Sequence, residues 1–426
     1  MQTARNTPSM RPINSVVSQH ADEAVLLRHQ RARLVGCPDI GLPLLRRHDE
    51  RIVAHLDGLA VAGEYGSSLA MAVLDMPGVG EAFVAGVRTI EDKNAQQLDS
   101  LFSLAESVPP AETGLTSAFG WVSSYHLKGT VSQLLSSPAS CRRRVGIAAC
   151  AMHRVDPLAL LDAAIGDPDA ALRARALRTL GELGRRESFS LLLDALADED
   201  DRCRFRAAWS AVILGDRHRA LETLLGAALA ADAPDRERAF RLALQAMDLR
   251  AVHRVLQNLA EEPSHLRWLI QGSGIAGDAV YVPWLISHMT DAKTSRVAGE
   301  AFTFITGADL DKLQLYRARP GDFESGPNEN PDDPIGDMDP DEGLMWPDQQ
   351  KVEQWWADNS ARFPNGQRHF MGAPVTREHC IEVLKTGYQR QRILAAQYLS
   401  LLEPGTPLFN TSAPGWRQQR LLAKMA

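Results

Sequence analysis

Arginine is the residue type whose spacing in this chain could do chemistry. Arg142, Arg173 and Arg204 recur 31 residues apart, and Arg296 precedes Thr306–Gly307 as Arg173 precedes Leu183–Gly184. Arg206 and Arg238 stand close to this line, with further arginines around them. A guanidinium is a planar fork of five donors that stays charged, so a row of them can grip carboxylates or phosphates with paired hydrogen bonds. Two readings of the row are open. In one, the arginines pair with turn carboxylates such as Asp169 and Asp201 and tie neighbouring repeats together. In the other, they form a basic stripe for an acidic protein partner or for nucleic acid. The chain itself carries a candidate cover for such a stripe. Between Pro320 and Gln350 it has Asp332, Asp333, Asp337, Asp339 and Asp341 among many carboxylates, and no Lys or Arg.

Other chemistry-bearing patterns do not assemble into a site. Gly272–Gly277 fits GxGxxG, but it follows the helical stretch Leu266–Gln271, whereas phosphate binding needs a preceding strand. Glycines ending a helix explain it. The run Asp337–Gly343 hints at a calcium loop, yet Glu342 and Asp348 occupy the places where an EF-hand has Gly and Glu. His379–Cys380, and the trio Cys37, His48 and His55, find no partners that complete a nucleophile–base–orienter set. His48 and His55 share one helix face, and one helix cannot supply a full metal site. No catalytic residue, metal ligand or cofactor is therefore assigned. The five cysteines are odd in number and scattered, without a CxxC pair, which argues against a disulfide framework or a zinc site. They read as reduced thiols of a cytoplasmic protein.

The elements that must position these arginines are helices. The chain has 426 residues, enough for two or three domains, and Ala and Leu outnumber Val and Ile, which favours helix. Its net charge of −7 argues against nucleic acid as the partner of the whole chain but leaves local patches open. The N-terminus has no continuous apolar core, so no secretory signal is read, and no apolar run reaches the ~18 residues a membrane span needs. Residues 1–18 read as a flexible tail and 19–128 as a helical domain. In that domain Phe119, Trp121 and Tyr125 are expected to face inward on a helix through Leu115–Ser124.

Repeats begin near Thr130. Turns at Ser136–Pro138, Asp167–Asp169, Asp198–Asp201, Asp232–Pro234, Glu262–Pro263 and Thr290–Lys293 keep step, with Asp and Pro where helices are capped and started. Core leucines repeat as well, with Leu160, Leu161 and Ala164 opening one unit and Leu191, Leu192 and Leu196 the next. The unit is shorter than the usual ~40 residues of HEAT or armadillo pairs. The expected fold is thus all-α, a short HEAT-like α-solenoid over 129–310. An acidic, proline-rich linker follows at 311–350, and a C-terminal helical region at 351–426 carries one further helix pair. A short extended piece is expected at Arg368–Met371.

Several stretches carry a resemblance. Gly277–Asp278, Val282–Ile286, Ala298–Phe302 and Ile305–Leu310 resemble the signature of a bacterial HEAT-repeat family without an assigned biochemical activity. Trp355–Trp356, Gly366–Arg368, Gln389–Arg392, Pro404–Gly405, Leu408–Phe409 and Ala413–Gly415 fit the same family. Asp278–Ala279 departs from it, standing where Asp–Pro is expected. Members are often encoded near type VI secretion genes. The resemblance therefore implies a non-enzymatic adaptor or chaperone whose protein partner is a secreted effector or spike protein. The competing expectation is an enzyme on a short HEAT scaffold, bilin lyase-like or DNA glycosylase-like. It would need a carboxylate among aromatics near Trp209, Trp268 or Trp284. A nucleic-acid binder using the arginine stripe is the third.

Overall fold

The computed structural model describes residues 12–230, 235–321, 323 and 339–425. Among them the chain is all-α, with 22 α-helices and a single two-stranded hairpin. It divides into two compact units.

The first unit comprises the described residues up to Leu34, Pro43–Leu160 and Ala413–Trp416. It carries α1 (Asn14–Leu34), α2 (Leu42–Val61), α3 (Gly63–Ala72), α4 (Val79–Glu91), α5 (Ala95–Ser107), α6 (Pro109–Trp121), α7 (Thr130–Leu135) and α8 (Ser140–His153). Phe83, Phe102, Phe119 and Trp121 fill its core, with Phe83 and Trp121 edge to face at 5.4 Å. Helices α4 and α6 approach closely because Gly114 lies against α4. A Cβ there would sit 2.4 Å from the Val79 carbonyl oxygen. Arg31 and Asp49 form a buried ion pair at 2.6 Å, and Asp49 also accepts a hydrogen bond from the Gly415 amide at 2.7 Å. The second bond uses a lone pair that would otherwise be stranded in a low-dielectric interior.

In the second unit, helices alternate in pairs: α9 (Ala159–Ile165) with α10 (Ala170–Leu183), α11 (Phe189–Asp194) with α12 (Asp201–Ile213), and α13 (Arg219–Leu229) with α14 (Arg236–Ala246). Then come α15 (Leu249–Ala260) with α16 (Leu266–Ala276), and α17 (Val282–Ser287) with α18 (Ser295–Thr306). The second helices pack in sequence, α10 on α12, α12 on α14, α14 on α16 and α16 on α18, which is the stacking of an α-solenoid. Asp caps start α10 and α12. Asp169 accepts from the amides of Ala171 and Leu172, and Asp200 from those of Arg202 and Cys203. At the other end of α10, Gly184 adopts φ 76°, and Arg154 takes the corresponding left-handed conformation after α8.

After α18 come α19 (Gln349–Asn359), the hairpin of β1 (His369–Phe370) and β2 (Ala373–Pro374), α20 (Arg377–Thr386), α21 (Gln389–Leu402) and α22 (Gly415–Leu422). The hairpin falls where the short extended piece was expected. Helices α20 and α21 do pair, yet α21 packs back on α12 and α14 rather than extending the row. Gln245 of α14 donates to the Leu394 carbonyl at 3.0 Å. The following turn closes on α10, because a Cβ on Gly184 would stand 2.2 Å from the Gly405 carbonyl oxygen.

Four expectations need correction. The helix expected from Glu23 begins at Asn14, inside the supposed tail, because Val17 and Ala21 are buried against the core. Helix α6 stops at Trp121, so Tyr125 lies in a turn and is 70% exposed instead of facing inward. Leu160 and Leu191 are exposed while their neighbours Leu161 and Leu192 are fully buried, since short helices present only one apolar stripe. Finally, the boundary between units falls near Leu160 rather than at 128, because α8 packs on α6.

His20 and His55 meet at 3.1 Å, Nδ1 to Nδ1, in the first unit. Burial, then the charge of His20, holds the His55 pKa below its usual 6.5. A histidine whose folded pKa is depressed contributes stability that is complete above the unfolded value and lost as pH falls through the folded one. The melting temperature should therefore fall on acidification below pH 6.5, and His55→Gln should flatten that slope. Scanning calorimetry of both proteins across that range checks it; parallel slopes would remove His55 from the pH dependence.

Candidate functional site

The arginines at the heads of the second helices each bind something, and the partner is specific to the position. Arg173, on the first turn of α10, donates Nη1 to the carbonyls of Asp167 and Pro168 at 3.0 and 3.1 Å. Its Nε and Nη2 grip Asp198 at 3.0 and 2.9 Å. This paired hydrogen bond holds the Asp198 carboxyl below the ordinary aspartate range and pushes the guanidinium further up. Arg204 repeats the first half, donating to the carbonyls of Asp198 and Glu199 at 2.7 and 3.0 Å, and also pairs with Asp201. Carbonyls left bare at the end of one helix are thus satisfied by an arginine from the next.

In the first unit the residue with this geometry is Arg143, which reaches the carbonyls of Ser137 and Pro138 at 2.8 Å. Arg142, expected in register with Arg173, instead pairs with Asp99 at 2.7 Å and lies over the Phe102 ring. The slip is one residue. Counting from the turn proline would have found it, since Arg143 and Arg173 follow Pro138 and Pro168 at equal distance. Arg206 and Arg238 share one carboxylate, Asp235, at 3.2 and 3.3 Å. Burial, before any neighbouring charge, lowers the Arg206 pKa to about 10.

Arg296 differs from the others because its partner comes from the acidic segment. Nη1 and Nη2 bind the two oxygens of Asp339 at 2.7 and 3.1 Å, and the guanidinium lies 4.7 Å over Trp346 and 5.0 Å over Phe323. Two residues on, Asp341 is 2% exposed and pairs through both oxygens with Arg267 of α16. Between them the Pro340 carbonyl accepts from Arg390 of α21 at 2.9 Å, and Arg390 also grips Glu300 of α18 at 3.0 Å. Three arginines from three helices therefore hold Asp339–Pro340–Asp341.

The C-terminal end of the supposed linker is consequently ordered structure. Arg317 and Asp348 donate backbone hydrogen bonds to Trp346 and Leu315, both at 2.9 Å, closing the segment on itself. Asp332, Asp333 and Asp337 lie outside the described residues. Sequence reasoning named Arg296, Asp339 and Asp341 but missed Arg267, Arg390 and Glu300. The only signal for Arg390 was its place in the run Gln389–Arg392.

The remaining sequence candidates have other employment. Gly272 and Gly274 lie inside α16, where they let neighbouring helices come close. A Cβ on Gly274 would fall 2.7 Å from the Ala301 Cα of α18. Gly277 caps that helix at φ 73°. Asp278 is buried and accepts from the Val280 and Gly366 amides, while Arg368 caps α14 through the carbonyls of Leu244, Gln245 and Met247. Those residues carried part of the resemblance, and the fold brings them together. His48 bonds the Leu27 carbonyl and His379 the Phe370 carbonyl. The Trp268 ring meets Phe240 edge to face and lies under Arg236, Trp284 meets His288 edge to face, and Trp209 is buried. Among the described residues no group of three His, Cys, Asp or Glu could hold a metal ion.

Burial pushes the thiols of Cys141, Cys150 and Cys203 up to about 11, and that of Cys380 to about 12. The thiolate is the reactive form, so these four should alkylate at least about 100-fold more slowly than the less buried Cys37 at pH 8. Peptide mapping after brief iodoacetamide treatment checks it. Equal labelling of Cys380 would contradict the packing around α20.

Residues 157–245 match the family model of HEAT repeats. The three helix pairs of that stretch, α9 to α14, match HEAT repeats. No curated protein matches the chain. The matched stretch runs from just before α9 to the penultimate residue of α14, and it contains Arg173, Arg204, Arg206 and Arg238. No helix among the described residues is long and apolar enough to cross a membrane.

Proposed function

We propose that this protein is a non-enzymatic, protein-binding scaffold. The observation that carries the reading is the grip of Arg267, Arg296 and Arg390 on Asp339–Pro340–Asp341. A HEAT-repeat surface that holds an acidic peptide segment through both side chains and backbone is organised for recognising chain, not for transforming a small molecule. The partner is a protein. Its nature, a type VI secretion effector or spike protein served by an adaptor or chaperone, follows from the resemblance carried by Gly277–Leu310 and Gln389–Arg392. The nucleic-acid reading loses ground because Arg142, Arg173, Arg204, Arg206, Arg238 and Arg296 are each already paired with a carboxylate.

Affinity capture of the tagged full-length protein from its native host, followed by mass spectrometry, tests this. The expected result is selective enrichment of a secretion effector or spike protein that also co-purifies when the two are expressed together. Failure of every enriched protein to bind the purified chain would overturn the proposal.

A further inference from the structure

The three-arginine grip has features that a purely structural strap does not require. It reads a pattern: paired bonds to a carboxylate, one bond to the next carbonyl, paired bonds to a second carboxylate. Bidentate geometry at both ends selects Asp-x-Asp over scattered charge. The resident segment also leaves donors unused. Nε of Arg296, a residue only 7% exposed, is buried without a hydrogen-bond partner, and so is Nε of the nearby Arg241, whose positive field reaches Glu300. A buried guanidinium donor left unpaired is destabilising, so the present occupant satisfies the site incompletely.

We propose that Arg267, Arg296 and Arg390 form a recognition site for an acidic Asp-x-Asp segment of a partner protein, with Asp339–Pro340–Asp341 as its intramolecular occupant. This rests on the scaffold reading and adds the chemistry of the partner. The resident tripeptide belongs to the same chain, so its effective concentration at the site is high and weak acidic competitors are excluded. A partner segment displaces it by making the same contacts and also engaging the unused Nε donors. Occupancy in cis thus sets an affinity threshold.

The test uses the full chain carrying Asp339→Asn and Asp341→Asn together. Its probe is a fluorescent heptapeptide, Asp-Met-Asp-Pro-Asp-Glu-Gly, with an Asn-for-Asp version as control. By anisotropy at low salt, the double variant should bind the acidic peptide at least about tenfold more tightly than wild type, with the difference narrowing as salt rises. The control peptide should not bind, and adding Arg267→Glu should abolish the gain. Should the double variant be less stable, the acidic peptide is expected to raise its melting temperature and the control peptide to leave it unchanged.

Equal binding by wild type and variant, or no binding by either, would overturn the proposal. So would competition by inorganic phosphate or a single-stranded oligonucleotide as effective as that by the acidic peptide. Loss of peptide binding while host capture still yields the effector would remove this inference alone. Peptide binding without any protein captured would instead remove the effector reading.

Discussion

Leu180→Asp should unfold the repeat stack of the second unit. Leu180 is fully buried on α10, and the helix interface it serves is tight. One residue on, a Cβ at Gly181 would stand 2.9 Å from the Ser210 Cα of α12. Water cannot reach a carboxylate placed there without separating the two helices. The cost is about 4 kcal/mol or more, and a repeat stack transmits it because each pair is stabilised by its neighbours. A fall in melting temperature of roughly 10 °C or more is expected, with loss of helical signal beyond a single pair. Leu160→Asp is the control, since that leucine is 47% exposed and the substitution should be close to neutral. If Leu180→Asp melted like the wild type, the assignment of Leu180 to the core would be wrong.

Arg392→Ala is expected to be nearly as damaging, for a different reason. Arg392 is a fully buried side chain of α21 with no carboxylate among its hydrogen-bond partners. Its guanidinium donates to the Leu384 carbonyl at 2.8 Å and to the side-chain oxygens of Gln389 and Gln418. Burial lowers its pKa to about 10, which still leaves it charged at neutral pH, and three oxygens take the place of water around it. Truncation leaves those oxygens unpaired and opens a cavity, at a cost of about 3–5 kcal/mol. Arg392→Met fills the space and removes the buried charge, so it should recover part of that loss. Denaturant melts of the two variants beside wild type separate the contributions. Equal melts for Arg392→Ala and wild type would mean the guanidinium is not a structural hub of α20 and α21.

These two residues also show how far a sequence can be read. Arg392 stands in α21 where Arg173 stands in α10, and Leu399 where Leu180 stands, and the pattern of apolar residues at helical spacing placed Leu180 and Arg392 correctly on paired helices. That match said nothing about where α21 goes. It lies on α12 and α14, more than a hundred residues back along the chain, through contacts such as Gln245 to Leu394. Local periodicity reports which face of a helix is apolar, not which distant helix covers it.

By itself the sequence determined the helical class, the repeat, and the turns at which Asp169 and Asp200 start α10 and α12; the expected turn at Asp232–Pro234 lies outside the described residues. Those features are set by interactions within a few residues: apolar spacing, side-chain caps on free amides, and glycine where the backbone turns left-handed. Only the tertiary structure decided the partners of the arginines. Arg296 meets Asp339, Arg267 meets Asp341 and Arg390 meets Glu300 across separations of 43, 74 and 90 residues. Charge and spacing made those side chains candidates. Which carboxylate each one grips depends on how helices from distant parts of the chain pack, because a guanidinium can pair with any carboxylate that the fold brings within reach.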